Sequence, residues 1–266
     1  MKLYENHEAG RSLIKLLPVC ARMDGRVFHN FTKDMERPFY YNMTSLMQDV
    51  TKKLVEETNA CMGYTQSDEI SLAWCADDYK SEIFFNGRIQ KMVSTLAALT
   101  TLYFNKGIAY YFYPLEIRKY QDKNPTFDAR VWNVPNKEEG ANVFLWRELD
   151  ATRNAISMAA QSMFSHIALF EKNCSQMHEM MFQSGVNFND YPVFFKRGTY
   201  FQKKKVMRKF TLTELSNLPE KHEARLNPDL VVERSVVDQV DMPIFSTVLN
   251  RAEVIFDGAT PIVKAE

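Results

Sequence analysis

Leu16-Leu17-Pro18-Val19-Cys20-Ala21-Arg22-Met23-Asp24-Gly25-Arg26-Val27-Phe28-His29 joins an apolar run to a charged turn. The apolar part reads as a buried strand over about 17–23, too short for a helix of ordinary length. A strand that ends in Asp-Gly can hold a hard cation on its carboxylate. It can also offer backbone N–H groups to a phosphate, because glycine lets the main chain come close. Taken alone, Asp-Gly is a turn dipeptide. The rest of the chain decides between the two readings.

The frame is that of a soluble globular protein. The 266 residues are 45% hydrophobic and 25% charged, enough for a sizeable core. We read 1–266 as a single domain, with a core over about 15–170 and an extension over about 171–266. Lys plus Arg number 33 and Asp plus Glu 33, so a polyanion would have to meet a local basic patch. Cys20, Cys61, Cys75 and Cys174 form no Cys-x-x-Cys pair, which excludes zinc-finger spacing and a disulfide framework. Free thiols, no signal-peptide core and no apolar run of membrane-span length point to the cytoplasm and to no membrane partner.

Past His29, Asn42 is a candidate N-cap for a helix to about Glu57, with Met43, Leu46, Met47, Val50 and Leu54 on its apolar face. Residues 61–65 and 70–75 read as a hairpin tipped by Gln66-Ser67-Asp68-Glu69. A long helical segment is expected from about Asp78 to Asn105, with a break at Gly87 and with Arg88 and Lys91 sharing a face. A strand is expected at about 127–135, then an acidic loop at 136–141, then a third long helix from about Val143 to Glu171 in which Arg147, Asp150, Arg153 and Asn154 suggest surface ion pairing. A short helix is expected at about 175–184. Lys196 to Phe210 is the one basic run, interleaved with Tyr200, Phe201 and Phe210 on an expected strand pair. It suits phosphate contact and base stacking, or else a solvated face balanced by later acids.

Strand ending in Asp, helix, hairpin tipped by Asp, helix, strand, helix is an α+β order. It predicts a polymerase-palm-like antiparallel sheet with long helices packed on one face, plus a smaller C-terminal α/β extension. If the Asp24 strand pairs with the hairpin, Asp24 and Asp68 meet at one sheet edge. Two carboxylates sharing a site repel unless a cation lies between them. Two Mg²⁺ ions on such a pair serve in-line nucleotidyl transfer.

The residues also carry a resemblance. Arg22-Met23-Asp24-Gly25-Arg26-x-Phe28-His29-x-Phe31 with Gln66-Ser67-Asp68-Glu69 is similar to the tRNA-His guanylyltransferase family, which adds nucleotides in the 3′-to-5′ direction. Arg37-Pro38, Gln90-Lys91-Met92, Phe127-Asp128-Ala129-Arg130, Trp146-Arg147 and Lys196-Arg197-Gly198-Thr199 match in the same order, over roughly residues 15–205. The resemblance implies that Asp24, Asp68 and the Gly25 carbonyl bind two Mg²⁺, with Glu69 tuning the water shell. It implies that Asp24, Gly25, Arg26, Val27, Phe28 and His29 cradle a nucleoside triphosphate beside Ser67, with Arg37 and Lys91. Arg22, Arg88, Arg130 and Asn154, with Lys196, Arg197, Lys203, Lys204 and Lys205 of the basic run, fall to the RNA or its 5′ end.

Asp150-Ala151-x-Arg153-Asn154 and Asn187-Phe188-Asn189-Asp190-Tyr191-Pro192 resemble the bacterial, archaeal and phage branch rather than the eukaryotic enzymes. That branch implies templated repair of 5′-truncated tRNA, using ATP to activate the 5′ end and GTP or other NTPs as substrates, in a homotetramer. The alternatives are a single 5′ guanosine on tRNA-His, a palm-type nucleotide cyclase, and a non-catalytic RNA-binding protein.

Overall fold

The strand expected at 17–23 is β1 (Val19–Gly25), and the sheet is assembled around it. The computed structural model describes residues 2–114, 116–227 and 229–264. Helix α1 (Lys2–Ala9) precedes β1, and the one-turn α2 (His29–Thr32) follows it. Then come α3 (Tyr41–Thr58), β2 (Met62–Gln66), β3 (Glu69–Trp74), α4 (Ile89–Tyr111), α5 (Ile117–Gln121) and β4 (Phe127–Asn133). The long α6 (Lys137–Met163) leads through α7 (His166–Leu169), α8 (Cys174–Gln183) and α9 (Val193–Arg197) to β5 (Thr199–Lys209). The chain closes with α10 (Leu212–Asn217), α11 (Glu223–Leu226), β6 (Val231–Val240) and α12 (Arg251–Phe256).

The six strands form one antiparallel sheet in the order β4-β1-β3-β2-β5-β6. Strand alternation sends Val19, Ala21, Met23, Ile70 and Leu72 to one face, where α3 and α4 bring Leu46, Val50, Leu54, Met92, Leu96 and Phe104. All five residues of the apolar face expected for α3 are buried. On the other face Met62, Tyr64, Ala73 and Tyr200 pack under Ala141 and Phe144 of α6 and Val254, Ile255 and Phe256 of α12. The palm-like α+β sheet is therefore as expected. Two of its long helices share a face and the third crosses the opposite one. The C-terminal extension continues the same sheet as a β5–β6 ribbon.

Helix boundaries depart from expectation for local reasons. The α3 N-cap is Tyr40, and the Asn42 amide instead donates to the Tyr40 hydroxyl at 3.2 Å. Residues 78–88 are not α-helical: Phe85, Asn86 and Gly87 have φ of 50°, 51° and 72°, values a right-handed helix cannot contain. The acidic stretch at 136–141 is no loop. Asn136 caps α6 by accepting from the Glu139 N–H at 2.8 Å, and Glu138 and Glu139 lie in the first turn, where acids suit the helix dipole.

Candidate active site

Register brings the acids together. Asp24 lies opposite Glu69 on β3 and opposite Asp128 on β4, so three carboxylates cross adjacent strands on one face. Between Gln66 and Glu69 the hairpin turns through only Ser67 and Asp68, with Ser67 at φ 55°. The turn swings Asp68 over Gly25. A Cβ there would lie 2.8 Å from Asp68 Oδ2 and 2.3 Å from the Phe28 ring, so only glycine admits both neighbours. Ser67 Oγ donates to Asp68 Oδ1 at 3.1 Å. Burial, and then the charge of Asp24, push the Asp68 carboxyl above its ordinary range. Two carboxylates held together beside a backbone carbonyl are the donor set of a hard divalent cation.

Glu69 is engaged by two arginines. Arg147 Nη2 donates to Glu69 Oε2 at 2.7 Å, and Arg22 Nε lies 3.5 Å from the same oxygen. Arg22 also reaches Asp24 at 3.3 Å, and Arg147 reaches Asp150 at 3.2 Å. Burial raises the Glu69 carboxyl, against the pull of Arg147 and Arg22. The pair ties α6 to β3 and holds Arg22 in place. Any water-shell role of Glu69 is exerted from a carboxylate that also faces two guanidinium groups.

The segment after Asp24 forms a cradle. The Arg26 N–H donates to the Thr126 carbonyl at 2.9 Å, and the first bond of the following turn runs from the Asn30 N–H to the Val27 carbonyl at 3.1 Å. The amides of Val27, Phe28 and His29 lie ahead of that bond, as at any helix start. Val27 has φ 51°, a strained value for a β-branched side chain. Phe28 anchors the loop against the rings of Phe31, Phe104 and Phe127, at 5.0, 5.4 and 5.3 Å. Arg37 joins Thr32, Tyr40, Gln66, Ser67 and Met158 around a cleft beside the cradle.

Other expected residues lie elsewhere. The part of α4 near the site is Thr101, whose hydroxyl accepts from the Phe127 N–H at 3.1 Å, and Asn105, which donates to the Pro125 carbonyl at 2.8 Å. Arg88 comes thirteen residues before Thr101, about 20 Å along the helix. Arg88 and Lys91 are therefore at the other end of the sheet from Asp24 within this chain, and Lys91 sits over the Phe85 ring at 5.9 Å. Arg130 is opposite Arg22 in register and reaches Asp128 at 3.3 Å. Asn154 donates to Asp150 at 3.3 Å. Lys196 donates to the Asn189 carbonyl, and the Arg197 carbonyl accepts from Tyr64 Oη at 3.0 Å.

Thr199 pairs with Thr65 at the site end of β5, so Lys203, Lys204 and Lys205 run away from it. Lys203 reaches Asn59 Oδ1 at 2.8 Å, Lys204 reaches Asp238 at 3.0 Å and Lys205 reaches Glu233 at 3.1 Å. The charges of Lys204 and Lys205 are balanced across the ribbon, while Lys203 is tied to the neutral Asn59 at the end of α3. Sequence reasoning read Arg147 as a surface ion-pair residue and missed its grip on Glu69; its i,i+3 spacing to Asp150 was the visible half of the network. It gave Asp128 no role, and it did not find the cleft walls Tyr40 and Met158.

An antiparallel palm-like sheet with two aspartates at adjoining strand ends, beside a strained backbone cradle, defines a phosphoryl- or nucleotidyl-transfer fold. Comparison with known proteins narrows the class. The family described as tRNAHis guanylyltransferase matches residues 1–135. The tRNA(His) guanylyltransferase of Schizosaccharomyces pombe is 28% identical over 205 residues, 70% of this chain and 75% of that protein. Uncharacterized protein R259 of Acanthamoeba polyphaga mimivirus is 28% identical over 202 residues, 69% of each chain. Among solved structures, a bacterial tRNA(His) guanylyltransferase (Thg1)-like protein in complex with ATP is 35% identical over 77% of this chain and 87% of that one, with a TM-score of 0.69. A bacterial Thg1-like protein in complex with GTP covers 92% of both chains at 29% identity and a TM-score of 0.67. The chain belongs to the tRNAHis guanylyltransferase family and is a nucleotidyltransferase.

Proposed function

We propose that this enzyme adds nucleotides in the 3′-to-5′ direction to the 5′ end of tRNA, opposite a template, and so repairs 5′-truncated tRNAs in the cytoplasm. The observation that carries the reading is the seating of Asp68 on Gly25 beside Asp24, next to the Gly25–His29 cradle. The residues fit two Mg²⁺ ions, held by the Asp24 and Asp68 carboxylates and the Gly25 carbonyl. When bound, the ions supply an activated attacking oxygen and charge neutralisation of the leaving pyrophosphate.

The chain's own groups hold the reactants in line. Backbone amides of the cradle, with Arg37 at the cleft mouth, take the incoming triphosphate. Arg22 and Arg130, side by side across β1 and β4, take the phosphate of the RNA 5′ end. The 5′-phosphate of that end first attacks the α-phosphate of ATP, releasing pyrophosphate, and the 3′-hydroxyl of the incoming NTP then attacks the adenylylated 5′ phosphate, releasing AMP. Arg22 is shared between Asp24 and Glu69, and Arg147 holds Glu69 in place.

Templated repair, rather than one guanosine on tRNA-His, is supported by the Asp150-Ala151-x-Arg153-Asn154 run and by the 35% identity to a bacterial relative. Assembly as a homotetramer belongs to the same proposal, and sedimentation velocity tests it. The direct test is addition of labelled nucleotides to tRNAs lacking their first residue. We expect several tRNA species to accept the nucleotide that pairs with the opposing strand. A single guanosine added to tRNA-His alone would overturn the repair reading, and a cyclic product from NTP alone would overturn both.

A further inference from the structure

Trp146 stands on the outer side of α6, about 160° round the helix from Glu148 on its buried face. It is 60% exposed, whereas Trp74 is buried at 1%. A large apolar ring left in solvent forgoes the burial that usually justifies a tryptophan. Trp146 is also next to the site. Its ring packs on the Arg147 guanidinium at 4.8 Å, Arg147 grips Glu69 at 2.7 Å, and Glu69 faces Asp24 in the β1–β3 register. One face of the indole thus rests on a cation fixed by the active site. Seven residues on, along the same stripe of α6, the exposed Arg153 guanidinium is tethered to Asp150. An aromatic face with an arginine about 10 Å along the helix matches a nucleobase and the phosphate of a neighbouring nucleotide.

We propose that Trp146 is an RNA-positioning residue on which the terminal base at the RNA 5′ end stacks, with Arg153 meeting the backbone. The proposal rests on the reading of the site as an RNA 5′-end transferase. Arg147 holds the ring's inner face, so the platform is set before RNA arrives. Stacking tolerates any base, since each has a π face, and leaves nucleotide choice to the template. A role as filler beneath other side chains would bury the ring, and a role as a mere cover for Arg147 would be served by any apolar side chain.

The test compares wild type with Trp146→Phe and Trp146→Ala, using 5′-truncated tRNA and ATP. Trp146→Ala is expected to raise the KM for tRNA about tenfold, with the KM for ATP unchanged, and Trp146→Phe to restore most of the affinity. Titrating tRNA into wild type should quench the solvent-exposed part of the tryptophan emission, and this quench should be lost in Trp146→Phe. Anisotropy of a labelled tRNA is read alongside. Binding of labelled tRNA without that quench, or an unchanged KM for tRNA in folded Trp146→Ala, would overturn the stacking platform and leave the transferase reading standing. No binding of labelled tRNA to wild type would sink the transferase reading and this proposal with it. Emission that responds to dilution of the protein and not to tRNA would overturn the proposal by making the indole a contact between copies.

Discussion

Asp68 and Glu148 are both carboxyls that the fold holds above their ordinary range, for different ends. Asp68 is raised by burial and by Asp24, a condition that a bound cation reverses. Glu148 is raised by burial alone; its oxygens accept from the Phe245 N–H at 2.8 Å and Tyr200 Oη at 3.0 Å, tying α6 to β5 and to the turn before α12. A carboxyl with a raised folded pKa binds its proton more tightly folded than unfolded. Its contribution to stability is full below about pH 4 and is lost as pH rises through the raised value. Glu148→Gln removes that titration. The Tm of Glu148→Gln relative to wild type should therefore climb between pH 4 and neutral pH in calorimetry, and a difference independent of pH would contradict the buried charge. Val27 is a second costly residue. Its left-handed backbone stores roughly 1–3 kcal/mol, part of which Val27→Gly recovers. We expect unfolding stability to rise by about 1 kcal/mol, as measured by urea denaturation, while NTP binding weakens because the cradle is no longer preset.

Helix α6 links the site to the opposite layer of the fold. Its Arg147–Glu69 pair is nearly buried, with 11% and 13% of the two side chains exposed. Removing one partner of such a pair leaves the other charged in the interior, at a cost of roughly 3–5 kcal/mol. Arg147→Ala should lower stability by up to that order, and depress addition because Glu69, left with Arg22, draws that guanidinium toward itself. Arg147→Ala with Glu69→Gln should recover most of the stability and not the activity. Stability recovery in the double variant, read by denaturant titration, checks that the loss comes from the under-paired Glu69 carboxylate. Where α6 begins was hidden by its own signals. Lys137-Glu138-Glu139 reads as a charged loop unless Asn136 is taken as the cap, and acids are the residues a first turn prefers.

In the molecule as a whole, the antiparallel core was legible because strand alternation in Val19–Met23, the apolar face of Met43–Leu54 and the short hairpin 62–74 are each local patterns. Asp24 and Asp68 were legible as a pair because both stand at strand ends. Partners from distant segments were not legible. Glu69 and Arg147 are seventy-eight residues apart in the chain, and Lys205 finds Glu233 only through the β5–β6 register. The distance of Arg88 and Lys91 from Asp24 within this chain was not legible, since it follows from where α4 starts. The strained turn at Phe85–Gly87 starts α4 at the far end of the sheet.

The central claim is that Asp24 and Asp68 together form the metal-holding pair of a nucleotidyltransferase. The most direct measurement is single-turnover nucleotide addition to 5′-truncated tRNA by wild type, Asp24→Asn and Asp68→Asn, across a Mg²⁺ titration and with Tm recorded for each protein. We expect each substitution to cut the rate by roughly a thousandfold or more, with the metal-free Tm unchanged or raised because a repelling charge is gone. Wild-type rates in either folded variant at the same Mg²⁺ would contradict the claim.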